Sequence, residues 1–475
     1  METSIAEINP VLAQAPRIIA IAHRLKEIIR DGVVIEKRPT ELAIAIQGGT
    51  KLREVDLKDE SDELDFLLAR NAFAEDGLRP GDVVLAQMGG SGAFFAFALS
   101  RRLEELGSGG VYWISSTVFK RVADEQGIDR SRLKKIDDDG RRVETTFDHL
   151  ALQVVARVAW PSFYRVGARE RDNILLRAAY EQRQEAMLVR MATAARIRQR
   201  AIGRIFCSAA GKYPEGDVED MIKAELANDA VLSALQTEES RAERELKRLL
   251  RSLPVWQVFE PIEGVGELTA APLVVAIQDI NRFAKASSLM AFLGVHCLHP
   301  EGRKFQKGEQ PTGGVLARRR RGQLSNWHPD GRQALYQIGI QFSMWRPNSP
   351  WGLVYKEVRA GFEARHPNRQ VWVRDGSEVT ERIDLVEGQY KRIAGWSIIT
   401  DADGGERTVK GSTKYNPAHL NKMATWRTLT LFVGWLYEAW KNAEAGKPAP
   451  SLPRLKAMAV GVEAEADPES AATGS

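Results

Sequence analysis

Cysteine is nearly absent from this chain. Cys207 and Cys297 are the only two in 475 residues, and neither belongs to a Cys-x-x-Cys pair. That excludes a disulfide framework and a thiolate zinc set, and it makes a reducing cytoplasm the expected compartment. Long apolar runs are missing too: none reaches the roughly 18 residues of a membrane span. The first residues show no charged region leading into an apolar core and a small-residue cleavage site, so neither a membrane anchor nor export is expected. Charge excess is also small. With 67 Lys and Arg against 63 Asp and Glu, the formal charge is +4, too little to demand a polyanionic partner, so its distribution must decide. What remains, 44% hydrophobic and 27% charged residues, is the composition of a globular protein with room for about three domains. No internal repeat is visible.

The first 160 residues mix strand and helix patterns. Pro16 to Ile35 reads as an amphipathic helix, with Ile18, Ile21, Ala22, Leu25, Ile28 and Ile29 at helical spacing before the turn signal Asp31-Gly32. ELAIAIQGG and KLREVDL have strand character. GDVVLAQMGGSG starts as a buried strand from Val83 to Ala86 and passes through glycines into the helix-like AFFAFALSRRLEELG. The β-rich VYWIS follows at once. Strand, helix and strand in this order predict a parallel crossover, hence an α/β domain. From Ala168 to Leu253 the chain becomes long, charged helix interrupted at GKYPEG, which predicts two helices folded back on each other. The first carries Arg183, Arg190, Arg196, Arg198, Arg200 and Arg204. Such a run is ordinarily a solvated face; the other reading is a helix lying along phosphate. The expected organisation is an α/β domain at 1–160, an antiparallel arm at 161–253, a helical domain at 254–345, its continuation with a β-rich insertion at 346–445, and a disordered tail at 446–475. In TWRTLTLFVGWLYEAWKN, Leu429, Phe432, Val433, Leu436 and Trp440 share one face.

FEPIEGVGELTAAPLVVAI is the sharpest local signal. Gly264, Val265 and Gly266 form the Gly-apolar-Gly turn of a helix-hairpin-helix, where backbone amides and a helix N-terminus can meet a phosphate without reading bases. The bland alternative is a hairpin used only for packing. Further on, PTGGVLARRRRGQLSNW puts Arg318, Arg319, Arg320 and Arg321 side by side. Four adjacent guanidinium groups repel one another unless an anion screens them. Nucleic-acid binding is therefore the expected function of this half. Trp327, Tyr336, Trp345, Trp351, Tyr355 and Trp426 crowd the same region; most are expected in the core, with Trp327 the best stacking candidate. His299 and His328 could act as acid or base, though surface or capping roles suit them better. A nucleotide loop at Gly89, Gly90 and Gly92 lacks both the G-x-G-x-x-G spacing and a Walker Lys-Ser/Thr, so a tight strand-to-helix turn is the plainer account.

PIEGVGELTAAPLVVAIQDINRFAKASSLMAFLGV, ARRRRGQLSNWHPDGRQALYQIG and YNPAHLNKMATWRTLTLFVGWLYEAW together resemble the C-terminal transposase domain of the insertion-sequence one-ten family. Piv-type invertases and bridge-RNA-guided recombinases belong to that family. The resemblance implies a RuvC-like (RNase H-like) N-terminal domain, a coiled-coil arm, DNA strand exchange, a homo-oligomer and, in some relatives, a guide RNA. It also implies an Asp-Glu-Asp-Asp quartet holding Mg²⁺ and a serine nucleophile. Mg²⁺ needs carboxylate oxygens, and two such ions clamp the oxygens of phosphoryl transfer. Here the expected first Asp falls on Gln47 and the Glu on Ala86 or Gln87. Asp148 matches one member of the paired Asp motif while Thr145 falls on the other, leaving Asp56 or the acidic stretch Asp59 to Asp65 as stand-ins. The nucleophile falls on Thr312 or Ser325. The sequence thus supports a recombinase with an incomplete carboxylate set, or a domesticated descendant that only binds nucleic acid.

Overall fold

The computed structural model describes residues 10–23, 28–30, 33–36, 39–47, 52–88, 92–128, 135–136, 142–143, 148–207, 215–298, 315–316, 327–375, 378–385, 390–393, 396–400, 406–409 and 411–452. The chain forms two compact units, Met1–Leu175 and Leu176–Ser475.

The first unit is a three-layer α/β structure. Its strands are β1 (Arg17–Ala22), β2 (Thr40–Ile46), β3 (Leu52–Leu57), β4 (Val83–Met88), β5 (Gly110–Ser115) and β6 (Tyr164–Arg165), in the order β6-β5-β4-β1-β2-β3. β1, β2 and β3 pair antiparallel, whereas β1, β4 and β5 are parallel. Helices α1 (Glu60–Leu68) and α2 (Gly92–Glu105) supply Phe66, Phe95 and Leu99 to a core with Ile19, Ile21, Leu42 and Val84. On the opposite face, α3 (Ser116–Glu125) and α4 (Asp148–Val158) bring Phe119, Leu152 and Val155 against Ala20, Leu85 and Ile114. The alternation of side chains along β1 divides it between these two cores.

The helix expected from Pro16 to Ile35 is instead β1 followed by the paired short strands Ile28–Arg30 and Val33–Glu36. The run RIIAIA satisfies helical spacing, but it is β-branched and continuously apolar, which suits a central strand buried on both faces. Ile19, Ala20 and Ile21 are all buried. A buried ion pair fixes the amino ends of β1 and β4. Arg17 Nε and Nη2 donate to the two carboxylate oxygens of Asp82 at 2.9 and 2.6 Å, and the guanidinium also bonds the carbonyls of Asp76 and Gly77. With its remaining donors met by backbone, the pair sits in the interior without an orphaned charge.

The second unit is mostly helical. Helix α5 (Ala168–Phe206) crosses the boundary between the units, and α6 (Val218–Asn228) and α7 (Ala230–Ser252) follow it. Next come α8 (Trp256–Phe259), α9 (Glu267–Ile277), α10 (Ala286–Phe292), α11 (Pro329–Ile340), α12 (Pro350–Arg365) and α13 (Pro417–Glu444). α13 runs through the core: Leu429, Phe432, Val433, Leu436 and Trp440 are buried together, the shared face expected from sequence. Trp351 of α12 stacks on Phe342 at 5.7 Å and meets Phe432 edge-on at 5.2 Å, offset geometries that aromatic quadrupoles favour. Between α12 and α13 stand two three-stranded sheets. One has β7 (Arg369–Asp375) between β8 (Glu378–Leu385) and Gly411–Lys414; the other joins Tyr390–Ile393, Trp396–Thr400 and Glu406–Val409. The expected tail lies largely outside the described residues. Among those described, no helix is long and apolar enough to cross a membrane.

Candidate nucleic-acid interface

The arginines of α5 illustrate how charge is disposed in the second unit. Arg183 and Arg190 both reach Glu239 of α7; Arg198 and Arg204 pair with Glu219 and Glu225 of α6; Arg200 approaches Asp229 at 3.8 Å. Glu219 is held below the usual carboxylate range, chiefly by its bond from Arg198. A run that reads as strongly basic is thus largely neutralised by the next two helices.

The hairpin is built from α8, the turn at 260–266, and α9. Val265 N–H donates to the Ile262 carbonyl at 3.0 Å, and both side chains are buried, so the turn is anchored by its apolar residues. Gly264 sits at φ +87°, a left-handed conformation that favours glycine. A Cβ there would meet Gln341 and Arg346 at 3.1 Å, whereas one at Gly266 would face open space. The two glycines therefore serve different needs, backbone shape at the first and an open approach at the second. Glu267 opens α9 and accepts from Arg251 Nε at 2.6 Å. Burial raises its pKa, but its own backbone amide and Arg251 lower it further, and the net shift is downward. An internal carboxylate thus stands where a phosphate would approach the helix amides.

Arginines 318 to 321, Thr312 and Ser325 lie outside the described residues, as does His299. The segment containing them is bracketed by described structure. Cys297–Leu298 pairs antiparallel with Val315–Leu316, and Trp327 lies at the start of α11. The Arg332 guanidinium carbon lies 4.4 Å from the Trp327 ring centroid and 4.9 Å from that of Trp426, and Trp426 stacks on Tyr336 at 6.1 Å. Arg332 Nη1 is buried without a hydrogen-bond partner, and burial lowers the pKa of this group. A Cβ on Gly294 would come within 2.6 Å of Trp327 Cγ, so the bare backbone there admits the indole. Trp327 is thus packed by Arg332 and Gly294. His328 caps α11, its Nδ1 accepting from Gly331 N–H at 3.2 Å, and burial lowers its pKa. Of the aromatic residues mostly expected in the core, Trp351 and Tyr355 are buried there, whereas Tyr336 is 43% exposed and Trp345 65% exposed.

In the first unit, the carboxyl ends of β1 and β4 adjoin the start of α4. Asp148 Oδ2 accepts from Gln87 Nε2 at 3.0 Å. The next residue, His149, is buried, with Nε2 3.2 Å from Glu54 and Nδ1 3.4 Å from Glu41. Burial alone would lower the imidazole pKa; the two glutamates outweigh it and the net shift is upward. Asp56 pairs in register with Glu41, two residues beyond Glu54, and is exposed. Gln47 is elsewhere: its N–H donates to the Pro16 carbonyl and its side chain to Ala13, at the amino end of β1. The central strand ends near Asp148 with Ala22 and His23 instead, because Ile21 pairs with Ala86 in parallel register. Sequence reading missed Glu41, Glu54 and His149, whose grouping depends on strand register. Thr145, Gly89 and Gly90 lie outside the described residues.

Mg²⁺ requires convergent oxygen donors. Among the described residues, Asp148 faces an amide donor and the neighbouring glutamates face an imidazole, a set that does not supply the convergent oxygens this ion needs. Among the described residues, no group of three or more His, Cys, Asp or Glu could hold a metal.

Residues 257–306 match the model of the family described as Transposase IS116/IS110/IS902 family. The resemblance to insertion-sequence one-ten transposases is therefore shown over this segment, which contains the hairpin and the start of the basic stretch. No curated protein matches the chain.

Proposed function

We propose that this transposase-like chain binds DNA through its second unit and that its first unit is a RuvC-like domain no longer equipped for Mg²⁺-assisted phosphoryl transfer. The observation that carries the binding half is the family match over residues 257–306, which contains the hairpin and is followed in sequence by the Arg318–Arg321 run. Because five of the α5 arginines already have carboxylate partners, the strand's phosphates are assigned to the Arg318–Arg321 run, with the hairpin beside the strand, rather than to the helical arm. The strand order, with β1, β4 and β5 parallel and β2 running antiparallel between β1 and β3, supports the RuvC-like reading of the first unit. The Gln87–Asp148 contact supports its loss of metal chemistry, since an amide supplies no negative charge to a cation. A guide RNA would bind the same basic surface through the same phosphate contacts.

A second reading, an active recombinase with Thr312 or Ser325 as nucleophile, is favoured by the family match alone. One experiment separates the two. Fluorescence anisotropy with labelled DNA at rising salt, beside a cleavage and strand-joining assay with Mg²⁺, should give salt-sensitive binding and no reaction. Replacing Arg318 to Arg321 by alanine should reduce the log–log salt slope by about 3 to 4, the contribution of four neutralised phosphates. Absence of binding in dilute buffer refutes DNA binding, and joined product establishes the recombinase.

A further inference from the structure

The C-terminal end of α11 does not stop as an ordinary α-helix. Residues Gln341–Trp345 form a π-helical turn closed by Arg346 N–H donating to the Gln341 carbonyl at 2.7 Å. Pro347 explains the stop: the residue before proline is driven out of the helical region, and Arg346 lies at φ −130°, ψ 54°. The wide turn adds a residue to the helix and so rotates the side chains that follow it, a device common at functional sites. Here the consequence is that Phe342 is wholly buried while Met344 and Trp345 stand in solvent at 69% and 65% exposure.

This turn abuts the hairpin, since the Gly264 backbone packs against Gln341 and Arg346. An exposed indole and thioether therefore adjoin the Gly264–Gly266 loop. The charges beside them are unequal in reach. Arg346 is exposed and forms no ion pair among the described residues, whereas Glu263 is exposed on the hairpin turn and Glu267 occupies the start of α9. Those carboxylates repel phosphate from the hairpin side. They have no such effect on the uncharged face of a base, and a Trp ring is a stacking platform for any base. Met is among the apolar side chains that wedge between base steps.

We propose that Trp345 stacks on an unpaired base of a nucleic-acid strand, with Met344 beside it as a wedge and Arg346 meeting the adjoining phosphate. The inference rests on the nucleic-acid reading above and adds to it a specific contact and a preference for unpaired nucleotides. A single strand and an opened duplex present the same chemistry, so the π-turn selects for unstacked bases, not for a sequence.

The test uses the full chain with single-stranded and fully paired oligonucleotides, each as DNA and as RNA, and a strand carrying one 2-aminopurine. Trp345→Ala should bind single strands about tenfold more weakly, within the usual effect of removing one stacking ring. Duplex affinity should stay within about twofold, and 2-aminopurine quenching by the wild type should disappear. Trp345→Phe should retain both binding and quenching. The DNA and RNA arms tell which strand the site takes. If the wild type binds oligonucleotides and Trp345→Ala behaves identically, or loses single strand and duplex equally, this inference fails while the broader reading stands. If the wild type binds none, both fail. Self-association of the wild type that Trp345→Ala abolishes, with strand binding unchanged, would assign the patch to a second copy of the chain and overturn the proposal.

Discussion

Replacing Gln87 by glutamate tests the proposed loss of metal chemistry in the first unit. Glutamate matches glutamine in length, so a carboxylate oxygen would occupy the place of Nε2, 3.0 Å from Asp148 Oδ2. Two unit charges at that separation repel by roughly 5 kcal/mol at an effective dielectric of about 20, and the lost hydrogen bond adds about 1 to 3 kcal/mol for the partner left without its donor. Without a cation the variant should therefore melt well below the wild type. A divalent ion would convert the repulsion into a binding site. At 10 mM metal and a dissociation constant near 1 mM, linkage returns about 1.4 kcal/mol, enough to raise the melting temperature by a few degrees. The expected result is that Mg²⁺ or Mn²⁺ stabilises Gln87→Glu and leaves the wild type unmoved, measured by thermal unfolding and by calorimetric titration. Wild-type stabilisation by either metal that vanishes in Asp148→Ala would refute the reasoning, because it would show a working site despite the amide.

Two further outcomes follow from the second unit. Glu267→Gln removes the carboxylate that stands before α9 and frees Arg251, so DNA affinity at low salt should rise about three- to tenfold if phosphate approaches the hairpin amides; unchanged affinity and salt slope by anisotropy would place the phosphate elsewhere. His328 caps α11 as an acceptor, which only a neutral ring nitrogen can do. Burial lowers its folded pKa from 6.5, so its contribution is complete above that value and is lost as pH falls through the lower folded pKa. His328→Asn, which keeps a capping acceptor, should flatten the acid limb of a stability–pH curve; an unaltered limb would exclude His328 as its source.

The second unit was the more legible in sequence because its signals are local. A Gly-apolar-Gly turn and the apolar face of α13 need only neighbouring residues to be read. β1 was misread because IIAIA satisfies helical and strand spacing equally within so short a window, and the burial of both its faces arises from partners distant in sequence. The same limit explains Gln47. A resemblance assigned it to the strand bearing the first carboxylate, yet the topology makes β1 central and puts Gln47 at the other end of that strand. Glu41, Glu54 and His149 converge only through the antiparallel register of β2 and β3 and the crossing of α4. Trp345 was hidden for another reason: at an ordinary helical pitch its place relative to Phe342 gives no warning of exposure, and the π-turn that exposes it is set by Pro347 acting through the backbone.

A formal charge of +4 conceals two opposite arrangements, and the difference bears on where a strand is gripped. Along α5 each of five arginines has a carboxylate partner from α6, α7 or the residue between them, so binding a phosphate there would first break an existing pair and expose its carboxylate to the incoming anion. From Arg303 to Trp327 the sequence holds seven lysines and arginines and a single acidic residue, Glu309. No internal anion within that stretch can neutralise more than a fraction of it, and close guanidinium groups raise one another's energy until counterions condense. Releasing those ions to a polyanion is favourable. The stretch lies between the Cys297–Leu298 strand and the Trp327–Arg332 stack, so this basic sequence is bounded at both ends by described elements of one unit. Affinity for a strand should accordingly be governed by this stretch, and the arm should contribute through its packing.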